Sequence, residues 1–207
     1  MKIWDDLTIE KDKTVVVIGP NGSGKTRYGI KLTQLNDADH IGALRNIALP
    51  ENLQMMTYTQ AEKEVKNNLN RKKTHFWELS NEINLLFSKL MADDAASATK
   101  FRNQSAAGLK PDIEFTKIME LSSLWENLFP SRHISFDGYV PKVKSDYMGG
   151  EDYAASHMSD GERVALYLAA RVLDSTSQII IIDEPEVHFH SKLAVKFWDE
   201  LEKMRPD

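Results

Sequence analysis

Residues 14–26 read TVVVIGPNGSGKT. The stretch has three parts. Residues 15–18, VVVI, form an unbroken apolar run rich in β-branched side chains, as expected of a strand covered on both faces of a parallel sheet. Residues 19–26 fit the pattern G-x-x-x-x-G-K-[ST]. From Lys25 onward, Tyr28, Ile30, Leu32 and Leu35 supply the apolar face of a helix that stops before Asn36-Asp37. Strand, glycine-rich turn and helix, in that order, are the setting in which this pattern cradles phosphates. Glycines let the backbone curl so that successive N–H groups point inward, and the helix adds its positive N-terminal end. Gly19, Asn21, Gly22, Ser23 and Gly24 are the candidate cradle. Lys25 brings a point charge to β- and γ-phosphates, and the Thr26 hydroxyl suits a Mg2+ ligand.

A second motif lies at 179–185, IIIIDEP. Its four isoleucines predict another buried strand, which delivers two carboxylates to the end where open α/β sheets bind ligands. Asp183 can hold Mg2+ through water, and Glu184 can orient or deprotonate an attacking water. The third motif is Met158-Ser159-Asp160-Gly161-Glu162-Arg163, placed just before an apolar helix. Ser159 and Glu162 have the S-x-x-E spacing of a capping box. A helix start with an exposed Ser159 and Gly161 is also a second anion-binding surface. One nucleotide cannot easily use two helix starts so far apart in a single chain, but it can if a second copy supplies one.

The motifs GPNGSGKT, SDGER and IIIIDEPE, in this order, resemble those of ABC-type ATPases, a branch of the P-loop NTPases. Within that branch the chain is most similar to the SMC, RecF and OLD-like group. DEPEVHFH together with SDGE resembles bacterial ATPases paired with Toprim-type nuclease modules in anti-phage defence. The resemblance covers residues 1–50 and 130–207. It implies an α/β fold with a parallel-sheet core, and a head-to-tail homodimer with two ATP molecules between the copies. Gly22, Gly24, Lys25 and Thr26 would bind phosphates and Mg2+, while Ser159 and Gly161 of the second copy close over the γ-phosphate. Asp183 would serve Mg2+ and Glu184 would be the catalytic base. Asp160 stands where the family has a second glycine and is left outside the site, because a negative charge beside a triphosphate is unfavourable. Gln54 and Gln60 are candidates for the glutamine that contacts Mg2+ and water, with Arg45 in a related role. The family's switch histidine has no counterpart, so the chain is expected to be a piece of a longer protein that hydrolyses ATP poorly.

Composition bounds the rest. With 207 residues, 42% hydrophobic and 28% charged, the chain suits one or two globular domains. Residues 1–50 and 131–207 are assigned to the nucleotide-binding core and 51–130 to a helical insertion. In the insertion, Val65, Leu69, Phe76, Leu79, Ile83, Leu86 and Leu90 predict a long amphipathic helix. Residues 91–110 read as a loop or weak helix, and Pro111 opens a helix through Leu128. A second strand is expected over 41–49, a hairpin around Asp137-Gly138, and helices over 159–173 and 191–204. No apolar run approaches the roughly 20 residues of a membrane span. With no cysteine, disulfides and Cys-based zinc sites are excluded, and a cytoplasmic location is expected.

The formal charge of −5 disfavours a globally basic nucleic-acid binder. The one basic run, Arg71-Lys72-Lys73, gives residues 61–73 a local charge of +3, read as a solvated helix face rather than a DNA-contacting patch. His188 and His190 lack a third metal ligand and are assigned a structural or dimer-loop role. Trp77 and Trp125 are assigned to the core, and Trp4 to packing rather than adenine stacking. Two other functions compete with the ATPase. A small-molecule or nucleotide kinase would need a lid of arginines, for which Arg132 and Arg163 are available. A non-hydrolysing sensor would bind ATP and hold or release a partner, such as a Toprim-type nuclease or another effector.

Overall fold

The isoleucine run becomes a strand with a parallel partner in the computed structural model, which describes every residue except 1, 5–6, 9–13, 36–37, 43–46, 73–81, 150, 185–186, 188 and 206–207. In chain order the elements begin with β1 (Lys2–Trp4), β2 (Leu7–Thr8), α1 (Lys25–Leu35) and β3 (Ala38–Ile41). Three helices follow, α2 (Tyr58–Lys72), α3 (Glu82–Ala106) and α4 (Lys117–Leu128). Then come β4 (Arg132–Ser135), β5 (Lys142–Ser145), β6 (Asp152–Ala154), α5 (Asp160–Asp174), β7 (Ile179–Ile182) and α6 (Ser191–Met204). The chain divides into two units, one of residues 1–45 with 175–207 and one of residues 46–174. The helical block 51–130 lies within the second, together with residues 131–174.

In the first unit β3 pairs with β7 in parallel, from Ala38 opposite Ile179 to Ile41 opposite Ile182. The expected second strand thus starts at Ala38 and ends at Ile41, because β7 supplies only four residues of ladder. α1 packs on β3 and covers the expected 25–35. The expected buried strand at 15–18 is not found. These residues form no ladder, and Val16 and Ile18 are 76% and 90% exposed. Apolar patterning needs a paired neighbour and a covering layer to become a buried strand, and the described residues supply neither here. Thr14 is anchored, its hydroxyl 2.6 Å from Glu202 Oε1 on α6.

In the second unit α5 is the central element. Residues from Val164 to Ala170 are 2% exposed or less, so this middle stretch of the helix is apolar on all sides, as the centre of a core helix must be. It packs against α3 and α4, and Trp125 of α4 is fully buried, its ring 4.5 Å from that of Phe129. The expected hairpin is present, β4 and β5 pairing antiparallel around a tight turn with Gly138 at φ 64°. β6 adds a third antiparallel strand.

The helical block differs from expectation in two places. The long periodic helix is divided between α2 and α3, while Phe76, Trp77 and Leu79 lie outside the described residues. Residues 91–106, expected as loop or weak helix, are helix. Alanines at 92, 95, 96, 98 and 106 favour helix, and the returning segment is pinned onto α3 by polar side chains. Thr116 Oγ1 meets Asp94 at 2.5 Å, and Ser97 donates to Glu114 at 3.2 Å. α4 accordingly starts at Lys117, after Thr116, and not at Pro111.

Two buried charge clusters fasten α5 to its neighbours. Arg171 pairs with Glu82 of α3 at 3.1 Å, both side chains at most 5% exposed. Asp174 takes Lys89 at 2.7 Å and Lys117 at 3.3 Å. Arg171→Met removes one partner of a buried ion pair and should cost about 3–5 kcal/mol in urea unfolding, most of it recovered in Arg171→Met/Glu82→Leu.

Candidate functional site

The phosphate-loop residues lie at the start of α1. Ser23 N–H donates to Pro20 O at 3.1 Å, closing the turn, and Tyr28 N–H donates to Gly24 O at 2.8 Å, starting the helix. Gly22 and Gly24 hold φ of 82° and 90°, a region that side chains with a Cβ rarely enter. A Cβ at either would meet nothing within 4 Å, so the glycines are required by backbone conformation and the space beside them is open. At Gly19 a Cβ would stand 2.8 Å from Ser23 Oγ. Lys25 Nζ donates to Gly19 O at 2.7 Å and to Pro20 O at 3.2 Å. An ammonium has three N–H groups, so one remains for an anion. An open loop with two left-handed glycines, a lysine bridging its rim and a helix start behind it fits a phosphate chain. Thr26, in the first turn of α1, is exposed.

The acid pair follows β7. Asp183 N–H donates to Ile41 O at 2.9 Å, carrying the β3–β7 pairing one residue past the strand. Glu184 then turns into the left-handed region at φ 50°, one of two described non-glycine residues that do so. Such conformations cost about 1–3 kcal/mol and concentrate at functional sites. Pro185, Glu186 and His188 lie outside the described residues. His190 caps α6, its Nδ1 accepting from Leu193 N–H at 3.4 Å. Among the described residues no three His, Asp or Glu side chains cluster as a metal site.

Gly29, which sequence reasoning passed over, sits where α1 meets the sheet. A Cβ there would lie 3.3 Å from Ile181 Cγ2 and 3.4 Å from His40 Nε2. Glycine costs a helix interior about 1 kcal/mol relative to alanine, and here it lets the phosphate-loop helix sit close to the strand leading to Asp183. The only signal for it was an unexplained glycine in a helical pattern.

The third motif occupies the start of α5. Ser159 N–H donates to Glu162 Oε2 at 2.9 Å, and Glu162 N–H points back to Ser159 Oγ at 3.4 Å, the reciprocal bonds of a capping box. Ser159 is exposed and Gly161 half-buried. Asp160 is ion-paired with Arg163 one turn on, so its charge is balanced within the motif. Arg132, at the start of β4, is ion-paired with the buried Glu162. Both arginines available for a kinase lid are thus engaged at this helix start. Gln60 is committed elsewhere, its Oε1 accepting from Thr57 N–H and hydroxyl at the start of α2. The Gln54 backbone N–H donates to Asn84 Oδ1 at 3.2 Å, and the residue is exposed. Arg45 lies outside the described residues.

The sequence profile of the family described as ABC transporter matches residues 5–187, most of the chain. The chain belongs to this family. It is accordingly an ABC-type P-loop NTPase, from a family whose members are typically ATPases, bind ATP with Mg2+ and commonly dimerise. No curated protein and no solved structure matches it significantly. Among the described residues of this ABC-type protein no helix is long and apolar enough to cross a membrane.

Gly29→Val forces two methyl groups between α1 and β7. It should lower stability by about 1–3 kcal/mol in urea unfolding while leaving the helical content seen by circular dichroism intact.

Proposed function

We propose that this chain is the ATP-binding and ATP-hydrolysing part of a switch that closes when two copies meet head to tail around ATP. The observation that carries the reading is the loop at 19–25, with left-handed Gly22 and Gly24 and with Lys25 on its rim. Free N–H groups of this loop and the third N–H of Lys25 would hold the β- and γ-phosphates, with Asn21 and Ser23 in the same turn. Thr26 and Asp183 would hold Mg2+, which when bound supplies charge neutralisation to the phosphate oxygens. Glu184, displayed by a strained turn, would take a proton from water as the water oxygen bonds to the γ-phosphorus and the bond to the β–γ bridging oxygen breaks. Ser159 and Gly161 of the second copy would donate to the γ-phosphate from the start of α5.

The engagement of Arg132 and Arg163 by Glu162 and Asp160 favours hydrolysis over a kinase with an arginine lid. Within this reading we place the protein in the cytoplasm, in the SMC, RecF and OLD-like group, with a role in DNA repair or anti-phage defence. There the closure would act on a Toprim-type nuclease or another effector.

Three substitutions separate the parts. Lys25→Ala should abolish binding of a fluorescent ATP analogue. Glu184→Gln should bind ATP and sediment as a dimer with ATP and Mg2+. Adding Ser159→Arg should preserve binding and return the protein to monomer. A Glu184→Gln protein that stays monomeric under saturating ATP would falsify the sandwich, and a phosphorylated small molecule in place of free phosphate would restore the kinase.

A further inference from the structure

Ser159 Oγ donates its single hydrogen to Glu162 Oε2 at 2.6 Å. The same carboxylate oxygen also accepts Ser159 N–H, at 2.9 Å. The other oxygen, Oε1, faces the Arg132 guanidinium. Glu162 is 4% exposed, so these partners replace the water it has lost.

A hydroxyl has one hydrogen and cannot donate to a carboxylate and a phosphate at once. In this arrangement the Ser159 hydrogen is committed to Glu162. For Ser159 to serve a γ-phosphate the hydrogen must turn away, and Glu162 must tolerate its loss. Two groups remain on the carboxylate when that happens, the Ser159 N–H and Arg132. Of these only Arg132 carries charge. Without it, a buried carboxylate would keep the hydroxyl as compensation, or would take up a proton and cease to fix the turn.

We propose that Arg132 is a positioning residue for the cross-copy nucleotide site, keeping Glu162 paired so that the Ser159 hydroxyl is free to be redirected to phosphate. This rests on the reading of Ser159 given above and deepens it by naming what sets the hydroxyl's availability. Arg132 belongs to the hairpin that follows α4, its N–H donating to Phe129 O at 2.9 Å, so the control reaches the motif from outside α5.

The test uses the full chain in the Glu184→Gln background, with ATP and Mg2+, read by sedimentation and by binding of a fluorescent ATP analogue. Arg132→Met should leave analogue binding by the monomer unchanged and weaken ATP-dependent dimerisation about tenfold or more. Arg132→Lys, which keeps the charge, should restore most of the dimer. Arg132→Met/Glu162→Gln, which removes both charges and spares the fold a buried unpaired carboxylate, should dimerise better than Arg132→Met and decides the matter if that single variant does not fold. Parental dimerisation by Arg132→Met overturns the proposal. So does a folded double variant, checked by circular dichroism, that binds the analogue and stays monomeric. If the parent dimerises and Ser159→Arg does not disrupt it, the reading of Ser159 itself has failed, and the proposal with it.

Discussion

A carboxylate taken out of water needs partners on both oxygens, and Glu162 meets that need with groups from two parts of the chain. One oxygen takes the N–H and hydroxyl of Ser159, three residues earlier. The other takes Arg132, from the strand after α4. The start of α5 is therefore set by a local rule and a long-range ion pair together. α5 is the central helix of its unit, so where it begins governs what packs along it. At its far end Arg171 pairs with Glu82, and Asp174 with Lys89 and Lys117, tying the same helix to α3 and α4. An apolar helix can slide or rotate in an apolar core at little cost. Charges that must be matched at both ends remove that freedom.

The other unit relies on backbone geometry more than on charge. Gly22 and Gly24 supply a left-handed turn, and Gly29 supplies a close approach between helix and sheet. The hydrogen bond from Asp183 to Ile41 O extends the β3–β7 pairing to the acid pair, after which Glu184 is held at φ 50°. Here glycines relax the chain where a sharp turn or a tight contact is needed, and strain sits at the carboxylate proposed as the base. That division suits the proposed site, which would hold a polyanion rigidly and still let one side chain act on water.

Some of this was legible in the residues alone. α1 and α6 begin and end where periodicity and turn residues put them, because each has one apolar face and clear stops. The capping box at Ser159 was legible from four residues, since its bonds are local. The extension of α3 to Ala106 was left open between loop and weak helix, because the side chains that pin it, Thr116 and Glu114, lie on a later segment. The run at 15–18 misled for a related reason. Its composition is that of a buried strand, yet burial and pairing are properties of neighbours, and these residues stand exposed. Gly29 was invisible as well, because a glycine in a helix gains meaning only from what lies opposite.

The residue order by itself determined the chemistry on offer: a glycine-rich loop ending in Lys25 and Thr26, an acid pair behind four isoleucines, and a serine three residues from a glutamate. Those are short-range patterns, and short-range geometry follows from them. Only the tertiary structure decided that Arg132 answers Glu162, that Arg171 answers Glu82, and that Ile181 and His40 crowd Gly29. Each of these joins groups brought together by folding, or selects one partner among several. The energy of a buried charge or a close contact depends on what surrounds it, which no local pattern specifies.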